Sequence, residues 1–315
     1  MVADRILTVA LNAAVDVSYI VDGFGVDKIN IARATTKNAG GKANNVARVL
    51  ASLGQPVIAT GLACGSAGQF IAEDLRIRSV EPQFVAAPGE SRTCMAIVDP
   101  MGHTLTELRE KGPTLTAADA DRFLEKFTGL LWRAKLVVMS GSLPPGIPAD
   151  FYGKLIHAAY RQTQVRTILD ASGRSLAEAL AMHPYLVKPN RDELEEWAGR
   201  PLPDEGALLS AAQDLIKAGP LTVAVSLGPE GLLMVSPEGA WRAVPPRITP
   251  VNTVGSGDSL VAGFAAGLVQ GLSAEEILRL AVACGTANAL TSEVAVVDPA
   301  DLERIRPQVR VERVG

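Results

Sequence analysis

Histidine and cysteine are scarce in this chain, with three of each in 315 residues. His103, His157 and His183 lie far apart, which argues against a histidine-built zinc site or a histidine-centred triad. Cys64, Cys94 and Cys284 are odd in number and widely spaced, so they outline neither a disulfide framework nor a metal cluster. Buried thiols in a reducing cytoplasm are the expectation. Aromatic residues make up 4% and the net charge is −4. A nucleic-acid partner would call for a basic face and stacking rings, so none is expected. No apolar run approaches the length of a membrane helix. The first five residues lead into a strand-like segment, not a signal peptide. What the chain does have is 48% hydrophobic residues against 20% charged, enough for a sizeable core.

Short, continuous apolar runs recur at Ile6 to Leu11, Leu136 to Met139, Thr167 to Leu169, Leu186 to Val187 and Leu221 to Leu227. Runs without alternation suit strands buried on both faces. Helical segments lie between them. Thr116 with Asp119, and Ser273 with Glu276, have capping-box spacing at two helix starts. Alternating strands and helices predict an α/β fold, three-layered, with a mostly parallel central sheet. Two stretches differ. Val15, Val17, Tyr19 and Val21 alternate with Asp16, Ser18, Ile20 and Asp22, and Arg92 to Leu108 reads as extended pieces around a turn near Asp99 to Gly102. Strands with one wet face predict a small antiparallel β lid, formed by about 15–37 and 90–110 of a single domain spanning 1–315.

The richest string is Val251-Asn252-Thr253-Val254-Gly255-Ser256-Gly257-Asp258-Ser259. Leu260, Phe264 and Leu268 follow at helical spacing. Gly255 to Gly257 would thus open a helix whose free N–H groups favour a phosphate or a developing anion. Asp258 beside them can take a proton from a hydroxyl, the combination that phosphoryl transfer to an alcohol needs. An ordinary carboxylate pKa of about 3.9 and the helix N-terminus predict an ionised, weakly basic Asp258.

Five other polar loops follow predicted strands or open helices, one of them Ser140-Gly141-Ser142-Leu143-Pro144-Pro145-Gly146. In Asn38-Ala39-Gly40-Gly41-Lys42-Ala43-Asn44-Asn45, the paired glycines allow close backbone approach, Lys42 offers charge to a phosphate, and Asn45 can bind sugar hydroxyls. It is no Walker A loop, because Thr36 and Ala43 stand where that motif needs Gly and Ser or Thr. Leu11-Asn12-Ala13-Ala14-Val15-Asp16 puts Asp16 beyond a strand's carboxyl end, where open α/β sheets bind ligands. Lys188-Pro189-Asn190-Arg191-Asp192-Glu193 brings Asn190 and Glu193 within reach of a phosphate or of a metal's water shell. Ser226-Leu227-Gly228-Pro229-Glu230-Gly231 sits in an equivalent place. Any metal here should be a hard cation held by oxygen.

Together these strings resemble the ribokinase-like, or PfkB-type, carbohydrate kinases, over Leu7 to about Leu290. The set Leu11 to Asp16, Gly40-Gly41-Lys42, Lys188-Pro189-Asn190 and Gly255 to Asp258 is most similar to the phosphosugar branch: tagatose-6-phosphate kinases, 1-phosphofructokinases and minor 6-phosphofructokinases. Thr106 to Pro113 and Val251 to Gly263 look closest to the first of these. The resemblance implies a ribokinase-like fold and ATP- and Mg²⁺-dependent phosphorylation of a ketohexose phosphate. It implies Asp258 as base and the amides of Gly255, Ser256 and Gly257 as anion hole. Asp16, Gly40, Gly41, Lys42 and Asn45 would hold the phosphosugar, with Lys28 and Arg92 near its phosphate. Lys188, Asn190, Ser226, Gly228 and Gly231 would line the nucleotide site, Asn288 would border the adenine, and Glu193 would act on Mg²⁺ through water. A homodimer through the lid strands is a further implication. Ala13, Ala43 and Asn44 depart from the family pattern beside the sugar. The alternatives are a kinase of an unphosphorylated sugar or nucleoside, and a non-catalytic sugar-phosphate-binding regulator.

Overall fold

The computed structural model describes residues 4–314. Its main sheet has eleven strands. The first strand, Arg5–Ala10, lies in the middle, between Val57–Cys64 and Ala134–Ser140, and pairs in parallel with both. From Ala134–Ser140 the parallel order continues through Thr167–Asp170, Leu186–Val187 and Thr222–Ser226. Three antiparallel strands, Leu232–Ser236, Gly239–Val244 and Arg310–Val314, close that edge. The chain therefore builds away from its first strand in both directions. The crevice at such a reversal, beyond the strands' carboxyl ends, is where an open sheet can receive a ligand.

The continuous apolar runs are buried on both sides, and successive residues feed two different cores. Ile6, Leu136, Val138, Ile168 and Ala224 pack with the helices Lys42–Ser52, Ser256–Gln270 and Ala274–Asn288. Leu7, Val9, Val137, Met139, Leu169 and Val225 pack with Ala117–Leu130, Phe151–Thr163 and Glu205–Lys217. Both capping boxes form, Thr116 with Asp119 and Ser273 with Glu276. Gly263 lets its helix lie against Ala281 of the next, because a Cβ there would overlap the Ala281 backbone. The helix that carries Asp258 is held firmly by this contact.

A second, four-stranded sheet forms the lid, in the order Ala34–Gly40, Ala14–Ile20, Arg92–Asp99 and Thr104–Arg109. Its outer pairings are antiparallel, and the central one, between Ala14–Ile20 and Arg92–Asp99, is parallel. The parallel join arises because the chain visits the main sheet between the two halves of the lid. Side chains alternate across it. Asp16, Asn38, Cys94 and Arg109 form one row across the four strands, with Ser18, Thr36, Ala96 and Glu107 in the next. Val17, Tyr19, Met95, Ile97 and Leu108 occupy the alternate positions. Among the described residues, no helix is long and apolar enough to cross a membrane.

Candidate active site

The polar face of the lid and the carboxyl ends of the main strands enclose a cleft of about 560 Å³. Asp16, Gly41, Lys42, Asn45, Arg92, Lys188, Asn190, Glu193, Ser226, Gly255, Gly257 and Asp258 all line it. Residues up to 242 positions apart in sequence thus meet in one space.

Asp258 lies in the first turn of the helix Ser256–Gln270, which starts from Gly255 in a left-handed conformation at φ 83°. The Ser256 N–H is taken by the Thr253 carbonyl at 3.2 Å. The amides of Gly257 and Asp258 have no acceptor among the described residues. The Gly255 N–H likewise has no acceptor, so the expected Gly255-Ser256-Gly257 set loses only Ser256, whose donor the turn before the helix uses, and gains the Asp258 amide.

The Asp258 side chain is only 7% exposed and accepts a hydrogen bond from Asn45 Nδ2 at 2.8 Å. Burial, reinforced by the negative charge of Asp170, pushes its pKa up to about 7, although Lys42, Asn45 and Lys188 pull the other way. This corrects the expectation of an ordinary, fully ionised carboxylate. Removal from water outweighs the helix N-terminus, and the outcome is a stronger base.

Asp170 was not among the residues singled out in the sequence. It ends the strand Thr167–Asp170 at 1% exposure. Lys42 Nζ stands 3.3 Å away, Lys188 Nζ 3.4 Å, and Ser140 Oγ donates to it at 3.1 Å. Burial alone would raise its pKa, but the two lysines and the hydrogen bonds outweigh that and hold it below the usual carboxylate value. The same carboxylate raises the pKa of Lys42. The available signal was an acid closing an otherwise apolar strand at the binding end of the sheet. Arg109 and Asn38, which also line the cleft from the lid, were likewise missed.

Asp16 hangs over Gly40, where any Cβ would overlap its carboxyl group. Gly40 thus makes room for Asp16 and does not itself line the cleft. Burial raises the pKa of Asp16, opposed by Arg48, Arg92, the Gly41 N–H and Arg109. Arg92 donates to the carbonyls of Asn12 at 3.1 Å and Glu110 at 3.3 Å, which fixes it at the cleft wall.

Several of the expected residues do not line this cleft. Lys28 is exposed on the loop between two lid strands and lies outside the cleft. Gly228 and Gly231 shape the turn after Ser226 without lining the cleft, and Gly231 is pressed against the Ala243 carbonyl. Asn288, expected beside the adenine, is fully buried and faces protein instead of the cleft. It donates to the Val254 carbonyl at 2.9 Å and to Ser256 Oγ at 3.0 Å, and accepts from the Val296 N–H at 3.2 Å. It pins the anion loop from below. Asn190 and Glu193 cap their helix reciprocally, with Asn190 Oδ1 accepting from the Glu193 N–H at 2.7 Å and Glu193 accepting from the Asn190 N–H at 2.9 Å. One Glu193 oxygen remains for other use.

The family described as pfkB family carbohydrate kinase matches residues 6–300. A tagatose-6-phosphate kinase of Staphylococcus epidermidis is 37% identical over 312 residues, covering 98% of this chain and all of that protein. Phosphofructokinase-2 of Escherichia coli, in complex with fructose-6-phosphate, superposes with a TM-score of 0.89 at 31% identity, covering 98% of this chain and 99% of that one. Its tetrameric inhibited form gives a TM-score of 0.90 at 32% identity, with the same coverage.

Two outcomes follow from the buried state of Asp258. A base must be deprotonated to act, so kcat/KM should rise with pH through about 7 and level off above it. A pH–rate profile that stays flat down to pH 5 would refute this role. Because the folded state raises this pKa from 3.8, ionising Asp258 destabilises the fold as pH rises from the ordinary carboxylate value to about 7. Asp258→Asn should therefore melt higher than the parent at pH 8, with the gap closing toward pH 4. Thermal melts at both pH values measure this.

Proposed function

The chain belongs to the pfkB family of carbohydrate kinases, and from that premise we propose that it phosphorylates a hydroxyl of a ketohexose phosphate. ATP is the donor, and the products are a hexose bisphosphate and ADP. Tagatose 6-phosphate and fructose 1- or 6-phosphate are the candidate substrates. The observation that carries this reading is a buried base beside an open helix N-terminus, facing cations on both sides of one cleft. Relatives named for tagatose-6-phosphate and fructose-6-phosphate chemistry support the same class.

In this reading Asp258 removes the hydroxyl proton as the sugar oxygen bonds to the terminal phosphorus. The bond from that phosphorus to the bridging oxygen breaks, and its electron pair stays with ADP. The Gly255, Gly257 and Asp258 amides meet the charge on the transferred group, with Ser256 holding the turn. Lys42 and Lys188, steadied by Asp170, neutralise charge from the floor. Most of the rate comes from this positioning and charge balance. Asp16, Gly41 and Asn45 hold the sugar, and Arg92 with Arg109 faces its phosphate. Lys188, Asn190 and Ser226 border the nucleotide.

The donor set also suits Mg²⁺. The free oxygen of Glu193 is a hard ligand at the cleft, and no cluster of three acidic, His or Cys ligands exists among the described residues. That fits an ion that binds mainly through phosphates and water, with one carboxylate nearby. When bound, Mg²⁺ would offset phosphate charge.

A homodimer through the lid is part of the proposal. Val26, Ile29 and Ile31 are 83–95% exposed on the lid loop, and Leu108 is 58% exposed on the face turned from the cleft. Such an apolar surface favours cover by a second copy, which could also bring Lys28 to a neighbouring cleft. The free cysteines suit a cytoplasmic setting.

The first test is ADP release with MgATP against tagatose 6-phosphate, fructose 1-phosphate, fructose 6-phosphate, fructose and ribose. Turnover is expected on a phosphosugar, falling roughly 10²-fold or more in Asp258→Asn. Activity only on a free sugar would replace the substrate class, and tight binding with no turnover would favour a regulator. Light scattering should give twice the chain mass for the parent and a monomer for Ile29→Glu with Leu108→Glu. A monomeric parent would remove the dimer.

A further inference from the structure

Asn38 sits on the lid strand Ala34–Gly40, directly opposite Asp16 on Ala14–Ile20. Directly paired residues share a face of a sheet and bring their Cβ atoms to about 4.5–5.5 Å. Both line the cleft, and Asn38 is 8% exposed. A buried side-chain amide has to satisfy its carbonyl and its NH₂ group.

The carbonyl is accounted for. Arg78, at the end of the helix Gly65–Ile77, donates from Nη2 to Asn38 Oδ1 at 2.6 Å. A guanidinium has donors only, so the oxygen of Asn38 faces Arg78 and its NH₂ group is turned elsewhere. No described residue accepts from that group. The arrangement is clamped. Asp74 Oδ2 accepts from Arg78 Nε at 3.1 Å and from the Ala39 N–H at 2.9 Å, which holds Arg78 and the backbone next to Asn38 together. The neighbouring side chains thus offer complementary chemistry, a carboxylate acceptor from Asp16 and a fixed donor from Asn38.

We infer that Asn38 is a sugar-binding residue, donating from its amide to the oxygen of a hydroxyl adjacent to the one held by Asp16. The inference rests on the reading of the cleft as a phosphosugar site and adds to it a second reader of the hydroxyl pattern. Arg78 is a positioning residue, which acts through Asn38 without touching the sugar.

Kinetics on the full-length protein test this. Asn38→Ala should raise the sugar-phosphate KM roughly 3- to 10-fold, the effect of one neutral hydrogen bond, with kcat and the MgATP KM near parental values. Asn38→Asp, which presents an acceptor and a charge in place of the donor, should raise it further. Arg78→Met should move KM in the same direction, and Lys37→Met, whose Nζ lies over the Phe70 ring, should not. Across a series of singly deoxygenated sugar phosphates, the Asn38→Ala penalty should vanish on the analogue that lacks the hydroxyl Asn38 holds. An unchanged sugar KM in Asn38→Ala, or a penalty that persists on every analogue, would overturn the inference while leaving the kinase reading in place. No turnover of any phosphosugar by the parent protein would remove both.

Discussion

Everything at the floor of the cleft depends on keeping two buried carboxylates together with two ammonium groups, Lys188 buried beside them and Lys42 reaching in from the open cleft. Asp170 stands between Lys42 and Lys188, and Asp258 is held next to them by Asn45. When Asp258 is ionised the four charges balance. When it is protonated the cluster carries an excess positive charge. Isolated buried charges are costly unless paired and hydrogen-bonded. Asp170 meets that condition with two lysines and Ser140, whereas Asp258 has one amide donor and repulsion from Asp170. The least satisfied member of the cluster is therefore the one that takes up a proton most readily, and it stands at the open end of a helix.

That arrangement needs rigid supports from distant parts of the chain. Asp170 and Lys188 end or follow adjacent parallel strands, so the pairing of Leu169 with Val187 sets how far apart they lie. Lys42 and Asn45 share one helix, spaced so that one reaches Asp170 and the other Asp258. Asp258 enters on a helix packed closely against its neighbour at Gly263, and Asn288 on that neighbour ties down the preceding loop. An asparagine far from the chemistry by sequence thus helps to set the orientation of the loop's amides.

Much of this could be read from the chain. Continuous apolar runs announced the parallel strands, alternation announced the lid, and capping residues marked two helix starts. Short Gly-rich strings placed Asp258, Lys42 and Asn45 because their local geometry is encoded locally. Properties that depend on distant partners were hidden. The shifted pKa of Asp258 comes from burial and from Asp170, 88 positions earlier in the chain. Asn288 looked like a ligand contact because a polar residue late in a helix says nothing of which way it faces. Lys28 lies on a loop whose surroundings a single chain does not define. The parallel join at the centre of the lid was invisible for the same reason, since strand order is a property of the path and not of the strand.

Base strength is thus set in the main body of the fold, while the lid adds contacts from the other side of the cleft. The main sheet and its helices hold the buried cluster, where every substitution changes a charge balance. The lid presents separate side chains in rows, each supported from outside the cleft, as Arg78 supports Asn38 and the carbonyls of Asn12 and Glu110 support Arg92. A change in one lid row alters the side chains that face the cleft while leaving the cluster at the floor intact. Ala13 and Ala43, near Asp16 and Gly41 in the sequence, are both fully packed at 0–2% exposure. Their methyl groups can act on the substrate only through the backbone of the loops they brace. Differences in specificity within such a scaffold should therefore be sought first among the lid residues that face the cleft.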